Sequence, residues 1–305
     1  MGDHLMNGRY PHFKGHTPAG LHILRDGLVM NFFIQRSHRE IGDSVARALE
    51  TYRRSVGVEK LGFYTGEEGY IQTLDPWASK YIQQQLLDWD GCVIQLWEHH
   101  DQWSGYRFDY RGRMLGTDTY IRSPDAVSCA SFWLPTEYLE EQGPARVKEL
   151  AMALARELPL TSGYANLAFN GMMDTFRVGP LIHDLCFRYP GLDIVDDNVT
   201  YDLGTRPKGA YWLNFYGQPL LDKLGGVAGL REQLTLPGIS VEEMQPDKVL
   251  VQLGEWPEAD GELRPYRQLA RVLEPHLYQE ARPVLPAEVM RRWERRFFDQ
   301  ILDVR

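Results

Sequence analysis

Cysteine is scarce in this 305-residue chain: Cys92, Cys129 and Cys186, none near another in sequence. An odd number so dispersed argues against a disulfide framework and fits a reducing compartment. Long apolar runs are missing as well. None reaches the roughly 18 residues a membrane span requires. No N-terminal stretch has the build of a secretory signal. A soluble, cytoplasmic protein with no membrane partner is expected. Positive charge is also short, with 33 Lys and Arg against 42 Asp and Glu, a balance of −9. A general nucleic-acid binder needs a basic footprint, so direct nucleic-acid binding is not expected. An acidic chain suits a basic protein partner, whose encounter it speeds. It also suits plain solubility.

Catalytic signatures are absent in the same way. HExxH, CxxC, GxSxG and the phosphate-loop patterns do not occur. No Asp or Glu has a Lys two positions later, which removes the usual carboxylate-x-Lys element of restriction-type nucleases. Glu98-His99-His100-Asp101 is the obvious metal candidate, but adjacent strand residues face opposite ways and cannot all meet one ion. It reads as a solvated loop. His183-Asp184 falls in a helix, where neighbours diverge by about 100°, and Asp196-Asp197-Asn198 reads as a polar turn. No metal, cofactor or catalytic residue is assigned.

What the chain does contain is an ordinary globular composition, 43% apolar and 12% aromatic. Residues 1–20 read as a loose arm or edge element. Leu28–Gln35 has strand length and character. Ile41, Val45, Ala48, Leu49 and Tyr52 recur at helical spacing. Leu61–Tyr64 and Tyr70–Leu74 flank the turn Glu67-Glu68-Gly69 as a hairpin. A helix over 78–89 is expected to bury Tyr81, Ile82, Gln85, Leu86 and Trp89. Strands follow at Cys92–Glu98 and Tyr106–Tyr110, with Arg111-Gly112-Arg113 as a turn.

In the second half come strand Ser128–Leu134, a helix over 144–157 opened by Pro144, and strand Ala165–Phe169. This order echoes residues 28–64 and raises the idea of a duplication. Later come helices over 179–188, 218–224, 227–234, 265–275 and 286–301, with strands Ala210–Tyr216 and Val249–Leu253. Gly225-Gly226 stops a helix, since Gly adopts the left-handed cap geometry readily. The class is α+β, mixed sheets flanked by helices. The expected organisation is an arm over 1–20 and two α+β halves, 21–120 and 121–305, packed as one unit.

Several segments carry a resemblance: FWLPTEYLEEQGPARVKELAMALARELPLTSGYANLAFN (132–170), LGFYTGEEG (61–69), FRYPGLDI (187–194), AYWLNFYGQPLLDKLGG (210–226) and YRQLARVLEP (266–275). Their ordered run, over about residues 28–280, resembles the bacterial type VI secretion immunity family of the TsiV type. The resemblance implies a protein that binds a cognate effector toxin, commonly a DNase, and blocks its active site or substrate path without turnover. It supplies no binding residues.

Interface candidates therefore come from acidity and position alone. Glu67, Glu68, Glu98, Asp101 and Trp103 form a first group. Glu255, Glu258 and Asp260 form a second, within 242–262, where seven acids stand against one Lys. The basic stretch Arg292, Arg295 and Arg296 reads as a solvated helix face with its apolar side docked. Trp133, Tyr164, Tyr211 and Trp212 read as core, while Trp97 and Trp103 are candidates for a partner contact. Two other classes stay open. A small-molecule enzyme would show a buried polar cluster with shifted titrating groups in a concave site. The other is a scaffold or adaptor of the secretion apparatus, which gene context would separate.

Overall fold

The computed structural model describes residues 9–100, 103, 105–116, 123–171, 178–280 and 282–298. Among them, twelve strands follow in chain order: β1 (Lys14–His16), β2 (His22–Ile34), β3 (Phe63–Thr65), β4 (Ile71–Thr73), β5 (Cys92–Trp97), β6 (Arg107–Gly112), β7 (Ser128–Leu134), β8 (Ser162–Gly171), β9 (Asp193–Ile194), β10 (Leu213–Tyr216), β11 (Ile239–Gln245) and β12 (Lys248–Leu253). The helices are α1 (His38–Val56), α2 (Pro76–Asp88), α3 (Thr136–Glu157), α4 (Val178–Cys186), α5 (Leu220–Lys223), α6 (Gly226–Gln233), α7 (Arg264–Leu273) and α8 (Ala287–Glu294). The α+β class holds.

All the strands join one sheet, in the order β11-β12-β10-β8-β2-β7-β6-β5-β3-β4, with β1 and β9 attached at the side of β2 and β8. β2 is apolar on both faces over Leu28–Ile34. A strand of that kind belongs at the centre of a sheet, and β2 sits between β7 and β8, with Leu28 opposite both Leu134 and Leu167. Alternation then divides the side chains. Met30, Phe32, Ile94, Leu96, Phe108, Tyr110, Ala130 and Phe132 join the main core, onto which α1, α2 and α3 pack. Val29, Phe33, Cys129, Trp133 and Tyr164 point the other way, into a smaller cluster closed by Val199, Leu203 and Tyr278.

The strand–helix–strand units differ in reach. β7 and β8 are both antiparallel to β2, so α3 crosses one strand. β2 and β3 also run the same way, but α1 spans three strands, β7, β6 and β5. The echo between the halves goes no further than that order.

Several sequence expectations shift. The described part of the arm is docked: Tyr10 and Phe13 are buried, Tyr10 Oη donates to Pro257 O (3.0 Å), and β1 pairs with β2. β6 continues through Gly112, where a turn was expected. α3 starts eight residues before Pro144 and is interrupted by Gly143 at φ 80°, a left-handed geometry suited to Gly. The stop at Gly225 is as expected, with φ 82°.

Candidate functional site

Away from α1, α2 and α3, the sheet is open over β3, β5, β6 and β7. There it forms a cleft of about 680 Å³. Strand alternation places Gln95, Trp97, Arg107, Asp109, Arg111, Ser131 and Trp133 in its wall. Arg107 is buried among three indoles, 4.5 Å from the Trp133 ring centre, 4.6 Å from Trp103 and 5.3 Å from Trp97. Its Nε lies 2.8 Å from Asp109 Oδ2. Burial pulls the Arg107 pKa down, and the Asp109 charge opposes that. Burial likewise raises Asp109 against the pull of Arg107. Arg111 pairs with Asp197, whose attraction outweighs the effect of burial and raises the guanidinium.

Each of these charges already has a partner. Ser131 Oγ meets Cys129 Sγ at 3.6 Å, and burial pushes that thiol up to about 12, far from a thiolate at neutral pH. The arrangement is an aromatic and charged recess with its charges paired.

The sequence candidates fall in separate places. Trp103 is part of the cleft wall, and its Nε1 donates to Asn170 Oδ1 (2.6 Å). Trp97 is buried edge-on to it, 5.2 Å between ring centres. Glu98 is half-buried and tied to Lys60 at 3.3 Å and His99 at 3.7 Å. Asp101 lies outside the described residues. Glu67 and Glu68 are exposed at the tip of the β3–β4 hairpin. Gly69 and Ile71 of that hairpin border the cleft.

Glu255 and Asp260 are exposed after β12, in a loop whose Pro257 and Ala259 carbonyls accept from Tyr10 Oη and Gly191 N. Glu258 there is half-buried, with Arg9 at 3.9 Å; burial raises its pKa.

The reading of the basic stretch as solvated is corrected, and two other candidates are placed. Arg296 is buried, not solvated: its Nε donates to Pro190 O at 2.7 Å, and its guanidinium lies 3.5 Å from the Trp293 ring centre. Asp196 is a buried cap, accepting from Asn198 N (2.8 Å) and Val284 N (3.2 Å); burial raises it to about 6. His183 and Asp184 are exposed neighbours 3.3 Å apart.

One cluster was missed: His12, Asp26 and Glu137 lie close enough to share an ion. Yet His12 points Nδ1 at Asp26 (3.1 Å) and Nε2 at Glu140 (3.1 Å), and Arg25 holds Glu137. The hydrogen bond to Asp26 raises His12 to about 9 against burial. These contacts make the cluster an ion-pair clamp on the arm.

Three of the segments that carry the family resemblance, 132–170, 187–194 and 210–226, meet in the interior. Tyr164 and Tyr211, stacked 3.8 Å apart, donate to Asp193 at 2.5 and 3.1 Å, and Lys208 reaches the same carboxylate at 2.9 Å. Asn166 accepts from Trp212 N (3.0 Å) and donates to Gly191 O (2.6 Å). Those motifs are a buried polar staple.

The fold thus carries a recess of paired charges on its open face and acidic side chains on exposed loops. The chain belongs to the TsiV family, described as type VI immunity for VRR-NUC, whose family model matches residues 44–297. It is accordingly an immunity protein of a type VI secretion system, directed at a VRR-NUC effector. Among solved structures, a type VI secretion system protein of Pseudomonas aeruginosa is similar in fold, with a TM-score of 0.78 and 19% identity over 93% of this chain and 87% of that one. Comparison with curated proteins finds no match.

Proposed function

We propose that this chain neutralises its VRR-NUC effector by binding the nuclease one-to-one and covering the face that holds DNA, with no catalytic turnover of its own. A nuclease must carry a positive cleft to hold phosphate, and an acidic partner competes for it while speeding encounter. The net charge of −9 in a member of this family carries the reading. The interaction belongs in the cytoplasm, where the effector meets DNA. No helix among the described residues is long and apolar enough to cross a membrane.

The interface draws on Glu67 and Glu68 first, with Glu98 and Trp103 beside the cleft and Asp101 near them in sequence, and Glu255, Glu258 and Asp260 as a separate group. The two α+β halves work as one unit. Co-expression with the VRR-NUC effector tests the proposal. A stable equimolar complex and intact DNA are expected. Continued DNA degradation with an excess of this chain, and no complex at micromolar concentration, overturns it.

The recess around Arg107 and Asp109 favours a second reading, a small-molecule site, because shifted groups gather at such places. A thermal-shift screen of organic anions and cations separates the two. A stabilising ligand that does not disturb effector binding would support a site distinct from the immunity surface.

A further inference from the structure

Helix α2 buries Ala78, Ile82, Gln85 and Leu86. Its other side carries rings that the core does not take up. Trp77 is 68% exposed and Trp89, at the helix end, is 40% exposed. Between them stands Tyr81, parallel to Trp77 at 5.5 Å and 4°, and edge-on to Trp89 at 5.8 Å and 85°. Tyr81 Oη donates to Glu67 Oε1 at the β3–β4 hairpin tip. On that hairpin Tyr70 is also 68% exposed. Rings held by each other lose little freedom when a partner covers them. Tyr81 likewise aims the Glu67 carboxylate in advance.

Trp and Tyr dominate the energetics of protein interfaces. At ~200 Å² per ring, the exposures of Trp77, Tyr70 and Trp89 leave roughly 350 Å² of aromatic surface open, close to half of what one partner brings to a standard complex. Charge selects the occupant. Residues 66–90 hold five acids (Glu67, Glu68, Asp75, Asp88 and Asp90) against Lys80, and Arg39 of α1 pairs with Asp90 at 2.7 Å, so the face stays acidic. A second copy docking on this face would set like charges together. A basic surface with planar groups, able to stack on the rings and meet the carboxylates, is the complement.

We infer that the Trp77–Tyr81–Trp89 ladder and the Glu67–Glu68 hairpin tip form the docking face for the basic, phosphate-holding surface of the effector nuclease; this rests on the proposed function. The carboxylates occupy phosphate positions, and the rings take the place of stacked bases. The cleft borders the face without being its centre.

The test uses the full chain and the purified VRR-NUC effector domain, with titration calorimetry and a DNase-protection assay. Trp77→Ala with Trp89→Ala is expected to weaken binding at least 100-fold and abolish protection. Tyr70→Ala with Glu68→Lys alters only exposed hairpin side chains and guards against misfolding of the helix variant; a 10-fold or greater loss is expected at an unchanged melting temperature. Glu232→Gln, exposed on α6 beside β11 at the edge of the sheet away from the hairpin, should leave binding within 2-fold. If the wild type binds and both ladder and hairpin variants bind equally well, the inference fails while the proposed function stands. If the wild type does not bind, both fail. A wild-type dimer that Trp77→Ala dissolves would assign the ladder to self-association and overturn the inference.

Discussion

Asp193 has no solvent exposure and holds Tyr164, Tyr211 and Lys208 together. Removing one member of a buried charge pair leaves the other desolvated and unpaired, at about 3–5 kcal/mol. Asp193→Asn is therefore expected to lower stability by about 3 kcal/mol, read from urea unfolding. His12 gives a pH signature. Its pKa rises to about 9 in the fold, while a free imidazole titrates near ~6.5. Its contribution is complete below that lower value and fades as pH rises through about 9. Asp26 acts with the opposite sense: its hydrogen bonds with His12 and Phe13 overcome burial and lower its pKa, so its contribution is lost on acidification. The gap in unfolding midpoint between the wild type and His12→Gln should be widest near pH 6.5 and nearly closed by pH 10. The large aromatics Trp133, Tyr164, Tyr211 and Trp212 were legible as core from sequence alone. Arg107 and Arg296 were not, because nothing local announces that three indoles, or a Trp and a distant carbonyl, will enclose a guanidinium.

Helix α2 shows where element-level reading runs out. Its existence and length followed from spacing. Its buried side did not, since Tyr81 and Trp89 count as apolar in any periodicity although the sheet covers only Ala78, Ile82, Gln85 and Leu86. β2 and β8 extend beyond the apolar runs that revealed them. Their polar ends are tied instead to partners far away in sequence: Asp26 to His12 and Phe13, and Asn170 to Trp103. In α1 the expected residues are all buried, and one more proves decisive. A Cβ on Gly42 would stand 1.9 Å from Leu86 O, where α1 and α2 touch. Gly42→Ala should force the helices apart and cost about 3 kcal/mol by overpacking, with the melting temperature as readout.

At the scale of the whole molecule, the balance of −9 was plain in the sequence, and its distribution was not. The sheet order sets Glu242 and Glu243 of β11 at the edge opposite the β3–β4 hairpin, information held in strand pairing and not in composition. Association with a basic effector should slow steeply with salt, since screening shortens to ~8 Å at 0.15 M, whereas dissociation, governed by the rings, should change little; stopped-flow measurements at two ionic strengths separate these. The edges are managed conventionally: β4 is three residues long, and β11 carries Glu242 and Glu243.

The place of β2 has a consequence for biosynthesis. Its neighbours β7 and β8 are completed only at Leu134 and Gly171. At ~10 residues per second, the thirteen-residue strand leaves the ribosome more than 10 s before its pairing is available. Neither residues 1–120 nor 121–305 should therefore unfold cooperatively when expressed alone. In the cell, a nascent chain must be shielded by chaperones through that interval, and protection begins only with finished molecules.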